Sequence, residues 1–227
     1  MPYILPRPHL CNRIMLEAGG VIFLRAPAGA GKSVVLDMIA AKMGKSVCRT
    51  QNPRMLDAAD GWLLWDVPTH VRAVRLSANI LETARHVVIA CRPDQRISGL
   101  ARQILHHGSS IVGSADLAFT RQELEALPAE QAQSAFDTYA GWPAFLPLSS
   151  MPDEPLCVDY LPHLSPSQTV ALSLWLENPQ GEPDREWAEL LPPFLTATRQ
   201  RHQELLSLLA LAVRERLNAL EAGSAVM

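Results

Sequence analysis

One octapeptide, residues 26–33, constrains this chain more than any other part of its sequence. It reads Ala-Pro-Ala-Gly-Ala-Gly-Lys-Ser and lies between two short apolar runs, 21–24 and 34–36. An apolar run, a loop containing glycine and a second apolar run predict a buried strand, a tight turn and a helix, in that order. Small residues let backbone N–H groups close around an anion, and the amino end of the helix adds a favourable dipole. The octapeptide therefore predicts a phosphate-binding loop (P-loop) in an α/β fold.

The same octapeptide predicts a nucleotide site for ATP or ADP with Mg²⁺. The ammonium group of Lys32 would reach the β- and γ-phosphates, and the hydroxyl group of Ser33 would ligate Mg²⁺. The usual pattern has glycine where Ala26 stands, and since alanine is also small we expect the loop to keep its form. The alternative is an Ala/Gly-rich turn with no ligand. The predicted nucleotide-contacting residues of the loop are Ala28, Gly29, Ala30, Gly31, Lys32 and Ser33.

A second strand ends in an acid suited to the same site. Residues 62–66 form an apolar run that ends in Asp66. A buried parallel strand of this kind delivers a carboxylate from its carboxyl end to the Mg²⁺ that Ser33 holds. Four apolar residues and an acid also occur in ordinary core strands, and the preceding P-loop favours the functional interpretation. Ser33 and Asp66 are therefore the predicted Mg²⁺ ligands, and Asp66 is also assigned a catalytic role.

A third strand ends next to a cation. Residues 87–91 form an apolar run, and Arg92 follows it directly. A cation at the tip of a strand beside the acid strand can sense a γ-phosphate, so Arg92 is the second residue with a predicted catalytic role. An Arg92 that caps the sheet and pairs with Asp94 is equally compatible with the sequence.

Length and composition favour a soluble protein that folds alone. The chain has 227 residues, a formal net charge of −3 and four cysteines far apart in the sequence. The absence of basic clusters argues against direct nucleic-acid binding, and the absence of a run of 18 apolar residues argues against a membrane. We expect a cytoplasmic protein with reduced cysteines.

The alternation of apolar runs predicts an α/β fold with a parallel sheet of about five strands and helices on both faces. Strands are expected at 21–24, 46–50, 62–66, 87–91 and 110–115, and helices at 7–16, 32–43, 70–85 and 98–107, with a further helix opened by the capping box of Thr120 and Glu123.

Four sequence blocks carry a resemblance to one family. They are the octapeptide, Val-Val-Ile-Ala-Cys-Arg-Pro-Asp at 87–94, residues 115–124, and Ala-Gly-Trp-Pro-Ala at 140–144. In this order they resemble the nucleotide-binding domain of MalT-like, LuxR-type large ATP-dependent regulators, a branch of the STAND class of signal-transduction ATPases, over about residues 7–150. The resemblance implies that Pro143 lies against the adenine. The tripeptide Gly-Trp-Pro also fits a helix-start turn with Trp142 in the core.

Three departures from the family pattern bear on function. Only 33 residues separate Lys32 from Asp66, so one strand–helix element is expected to be missing. Where the family commonly has a second acid, this chain has Val67 and Pro68, so hydrolysis is expected to be slow or absent. The superhelical repeats and the helix-turn-helix of the family find no counterpart in the sequence. We therefore do not expect this chain to act directly as a transcription factor.

The sequence predicts two domains, a P-loop core at 1–150 and a small all-helical region at 151–227. A helix at 167–176 resembles a remnant of the winged-helix module of the family, and a long helix follows at about 193–222. The apolar run 205–213 in that helix is too short to span a bilayer and has to be covered. It is expected to dock on its own domain or to bind a protein partner or a second copy.

Three functions remain open. The first is a nucleotide-gated regulatory switch or adaptor that acts through protein contacts, at most a slow ATPase. The second is a P-loop ATPase or small-substrate phosphotransferase, and the third is a degenerate ATPase scaffold that no longer binds nucleotide. The missing second acid favours the first, and the alanine at position 26 is the direct support for the third.

Overall fold

The computed structural model describes residues 5–17, 20–56, 58, 60–148, 164–177 and 203–224. The chain divides into two compact units. The sheet unit consists of residues 6–26 and 31–113, and the helical unit consists of residues 1–5, 27–30 and 114–227. The predicted domain boundary near residue 150 lies outside the described residues.

Within its described residues, the sheet unit contains six strands in two parallel sheets. The strands are β1 (Val21–Arg25), β2 (Trp62–Asp66), β3 (Ala73–Arg75), β4 (His86–Cys91), β5 (Arg96–Ser98) and β6 (Ser109–Val112). The main sheet has the order β2-β4-β1-β6, and β3 pairs with β5 in a separate sheet. Strands β1, β2 and β4 are mostly apolar and buried along their length, as in parallel sheets covered on both sides, whereas the edge strand β6 exposes Ser109 and Ile111.

The helices of this unit are α1 (Pro8–Glu17), α2 (Lys32–Met43), α3 (Ala78–Thr83) and α4 (Ala101–His107), with a 3₁₀ turn at Pro53–Met55. Gly44 ends α2 in a left-handed conformation, as its sequence position predicts. Odd-numbered strand residues such as Trp65 and Ile89 share a buried cluster with Ile80 of α3. Even-numbered residues such as Leu64 are also buried, and α2 packs against β2 and β4. Both faces of the main sheet are therefore covered.

The helical unit contains shorter elements and a helix pair. The helices in the described part of this unit are α5 (Ser114–Leu117), α6 (Arg121–Leu124), α7 (Ala129–Tyr139), α8 (Pro166–Glu177) and α9 (Gln203–Ser224), with a 3₁₀ helix at Pro143–Leu148. The capping box of Thr120 and Glu123 is present at the start of α6. Helix α9 packs on α8, where Val213 is buried and the Arg216 guanidinium donates to the Thr169 hydroxyl and the Leu164 carbonyl. At these positions the terminal helix docks on its own chain.

The α/β class and the parallel sheet are confirmed, but the main sheet has four strands rather than about five. Only Cys48 of the predicted strand 46–50 pairs with the sheet, through a single bridge to Trp65. The predicted strand 110–115 is shorter, and the predicted start of the long terminal helix lies outside the described residues.

The predicted helix 70–85 is wrong in its first half. Residues 73–75 form β3, and only residues 78–83 are helical. The pairing of Val74 with Ile97 is distant in sequence, so local helical spacing could not reveal it. For the same reason the predicted helix 98–107 begins later, because its first residue belongs to β5.

No helix of the described residues combines the length and the apolar character that crossing a membrane requires.

Candidate nucleotide-binding site

The octapeptide connects β1 to α2 in the conformation that its glycines allow. Gly29 and Gly31 have φ angles of 80° and 79°, in the left-handed region that glycine adopts without steric cost. Gly31 is also the N-cap of α2, so it supplies no side-chain oxygen to the first amides of that helix. A turn of this kind, followed by a helix amino end, turns backbone N–H groups toward an anion.

Ala26 fits the position where the usual pattern has glycine. Its backbone lies outside the left-handed region, and the residue is fully buried. Its N–H donates to the carbonyl of Cys91 on β4, with a donor–acceptor distance of 3.3 Å. Its carbonyl accepts a hydrogen bond from the ammonium of Lys32 at 2.8 Å. A methyl group is accommodated here, so the departure from the pattern leaves the loop intact.

Lys32 is a cation in an unfavourable environment. Its pKa is lowered to about 8, mainly by burial and next by the positive charge of Arg92, against smaller opposing effects of Cys91, Asp66 and Asp94. The charged form of such a lysine has lost part of its hydration, and a bound anion stabilises it in place of that water. The sheet unit thus brings Lys32 and Arg92 close enough to interact electrostatically.

Asp66 lies at the carboxyl end of β2, two strands from β1. Asp66 and Leu24 are both level with Ala90 of the intervening β4, which puts their backbones about 10 Å apart across the sheet. Arg92 follows β4, so it does lie beside the acid strand, as predicted. The carboxyl ends of parallel strands are the usual ligand-binding edge of an open α/β sheet.

The candidate Mg²⁺ ligands are few. The Ser33 side chain is exposed in the first turn of α2, and the Asp66 carboxylate is partly buried. Among the described residues, no group of three or more His, Cys, Asp or Glu side chains could hold a metal. One hydroxyl and one carboxylate fit Mg²⁺, which takes one or two protein ligands and completes its shell with phosphate and water oxygens.

Arg49 is a neighbour of Asp66 that the sequence did not reveal. Its Nε lies 3.5 Å from Oδ2 of Asp66, and its Nη2 donates to Oδ1 of Asp37 on α2. The hydrogen bond to Asp37 is the main reason why the pKa of Arg49 is raised. The only sequence signal was its position in the weak strand pattern 46–50.

Gln95 is a second residue that sequence reasoning missed. Its side chain is 6% exposed, and its amide nitrogen donates to the carbonyls of Pro68 and Val71, both at 2.8 Å. Its amide oxygen accepts from the N–H of Arg92 at 2.8 Å. One buried side chain therefore ties the loop after Asp66 to the loop that carries Arg92.

Two other side chains hold the loop after β4. Asp94 forms an ion pair with Arg72, and Arg25 donates from Nη2 to the carbonyl of Pro93 at 3.0 Å. Burial is the main cause that raises the pKa of the neighbouring Cys91 thiol to about 11, which disfavours the thiolate form.

The helical unit contains the predicted adenine contact, Pro143. The tripeptide forms a helix-start turn, in which Gly141 has a φ of 70°, Trp142 is buried and Pro143 begins the 3₁₀ helix. The N–H of Ala144 donates to the carbonyl of Gly29 at 3.1 Å. This hydrogen bond places the residue after Pro143 next to Gly29, a residue of the octapeptide in the same unit.

Comparison of the chain with protein-family models, with curated proteins and with solved structures found no match. The resemblance to the nucleotide-binding domain of MalT-like regulators stays a prediction.

Proposed function

We propose that this chain is an ATP- or ADP-binding regulatory protein, a nucleotide-gated switch or adaptor that acts through protein contacts. The observation that supports nucleotide binding most strongly is Lys32, which follows a glycine loop and interacts with Arg92, with its pKa lowered to about 8. A partly buried cation beside a second cation is suited to a polyanion such as a triphosphate. The proposed ligand is the nucleotide, with Ser33 and Asp66 as the protein ligands of Mg²⁺.

Weak or absent hydrolysis is part of this proposal. Asp66 is followed by Val67, which is buried and has no group that could accept a proton from water. The next residue, Pro68, offers only its carbonyl, which already accepts a hydrogen bond from the Gln95 amide. The local chemistry therefore favours a protein that responds to nucleotide over one that turns it over.

The first prediction is that ATP or ADP with Mg²⁺ stabilises the protein against heat. A ligand that binds only the folded state adds about 2.7 kcal/mol at a concentration one hundred times its Kd. Differential scanning fluorimetry with and without millimolar nucleotide measures the shift in Tm. Phosphate release from the same samples should be far below the roughly 1–100 s⁻¹ of kinases.

Lys32→Ala should remove this stabilisation, because the ammonium group supplies the main charge for the phosphates. Lys42→Ala is the matched control, since Lys42 is an exposed lysine of the same helix and should leave the shift unchanged. A wild-type protein whose Tm does not respond to nucleotide would favour the scaffold, and rapid phosphate release lost in Asp66→Ala would favour the enzyme.

The second prediction is that nucleotide affinity falls above pH 8. Free Lys32 loses its proton near this pH, whereas phosphate in the site would hold it in the charged form. Binding then takes up a proton, so Kd should rise about tenfold per pH unit from just above pH 8 and stay flat below it. Isothermal titration calorimetry at several pH values, in buffers of different ionisation enthalpy, measures both Kd and the proton uptake.

Lys32→Arg is the control for the pH dependence, because a guanidinium stays charged throughout this range. If this variant binds nucleotide, its Kd should not follow the wild-type rise. An equally steep rise in both proteins would show that another group titrates.

A further inference from the structure

Arg49 is held at the end of the acid strand by backbone hydrogen bonds. The N–H of Cys48 donates to the carbonyl of Leu64 at 2.8 Å, and the N–H of Asp66 donates to the carbonyl of Cys48 at 2.9 Å. These two bonds pair Cys48 with Trp65 in parallel. In a parallel pairing the residues that follow Cys48 and Trp65 are also aligned, which places Arg49 beside Asp66.

The guanidinium of Arg49 lies between two carboxylates. Its Nε is 3.5 Å from Oδ2 of Asp66, and its Nη2 donates to Asp37. The Asp66 side chain is 18% exposed and the Asp37 side chain is 55% exposed. Because Asp37 remains as an anchor, Arg49 could release Asp66 without losing every anionic partner.

The same carboxylate is the candidate ligand for Mg²⁺. A divalent cation that binds Asp66 would come close to a guanidinium that carries a fixed positive charge. Two cations that share one carboxylate repel each other, so each weakens the binding of the other. Mg²⁺ also requires a near-octahedral oxygen shell, which a carboxylate already paired with arginine supplies less readily.

We propose that Arg49 competes with Mg²⁺ for Asp66, so that this protein binds ATP or ADP almost as well without Mg²⁺ as with it. The inference rests on the proposed nucleotide site and concerns its metal dependence. Arg49 sets the balance through its ion pair with Asp66. The Asp37 carboxylate keeps the guanidinium in place whichever state Asp66 adopts.

The test compares the Kd of ATP in EDTA with its Kd in excess Mg²⁺, measured by calorimetry on the full chain. For the wild type the two values should agree within about threefold, because the guanidinium charge beside Asp66 repels Mg²⁺ and offsets most of what the cation gains from that carboxylate. In Arg49→Gln the Kd with Mg²⁺ should become about tenfold lower than the Kd in EDTA. Arg49→Ala should behave like Arg49→Gln.

Two controls separate this effect from a general change of charge. Arg54→Gln removes the same charge from an exposed residue of the 3₁₀ turn. This variant should keep the wild-type ratio of the Kd in EDTA to the Kd in excess Mg²⁺. Adding Asp66→Asn to Arg49→Gln should return the ratio of the two Kd values to that of the wild type. The double variant lacks the carboxylate that the loss of Arg49 makes available to Mg²⁺.

An unchanged ratio in both Arg49 variants would overturn this inference while leaving the nucleotide site in place. So would a tenfold effect of Mg²⁺ on the wild type, or a raised ratio that survives Asp66→Asn. A wild type that binds no nucleotide in either buffer would overturn the proposed function itself, which the thermal shift measures independently.

Discussion

Replacing Gln95 by leucine should lower the free energy of unfolding by about 3 kcal/mol, although the two side chains are similar in size. The wild-type amide makes three hydrogen bonds of 2.8 Å, to the carbonyls of Pro68 and Val71 and to the N–H of Arg92. Leucine removes all three and leaves their backbone partners without the amide that satisfies them. Urea unfolding with an unchanged m value measures the loss.

Gln122→Leu is the matched control for this change. Gln122 is exposed on α6, so the same substitution should shift the free energy of unfolding by no more than about 0.5 kcal/mol. A loss below about 1 kcal/mol in Gln95→Leu would mean that water replaces the amide, and that the two loops do not depend on Gln95.

The structure around the octapeptide 26–33 could be predicted because its signals are local. The apolar run before the loop, the glycines within it and Gly44 at the end of α2 all act on neighbouring residues. The capping box of Thr120 and Glu123 spans only three residues and is present as predicted. Local patterns of this kind need no knowledge of what packs on them.

The parts that escaped prediction depend on contacts between distant residues. Val74 joins a strand only because Ile97 pairs with it, and its spacing alone fits a helix. Arg49 meets Asp66 because a single bridge at Cys48 aligns the two segments. Gln95 has no signature in the sequence, since glutamine is usually exposed and its burial here follows from three backbone partners.

The strand order explains why the candidate site residues come together. Lys32 follows β1, Arg92 follows β4 and Asp66 ends β2, and these three strands are neighbours in one parallel sheet. Parallel strands end at the same edge, so residues 34 and 26 positions apart in the sequence converge there. The sequence could predict this convergence from the apolar runs, but not that β4 would be the middle strand.

Gly141→Ala should destabilise the protein by about 3 kcal/mol, through two separate effects. Gly141 has a φ of 70°, where a side chain costs about 1 kcal/mol or more. A Cβ atom here would also lie 2.1 Å from the carbonyl oxygen of Phe119, so the backbone has to move. That movement would strain the hydrogen bond from the Phe119 N–H to the Gly141 carbonyl, which is 2.8 Å long.

Gly44→Ala separates the two effects, because Gly44 has a φ of 64° but no neighbouring atom within 4 Å of the point where a Cβ would stand. It should lose only about 1 kcal/mol, the part that belongs to the backbone conformation. The difference between the two variants in urea unfolding is then the cost of the contact with Phe119. Equal losses would mean that the turn yields freely and does not fix Pro143. A larger loss in Gly141→Ala would mean that the turn is rigid and fixes the position of Pro143.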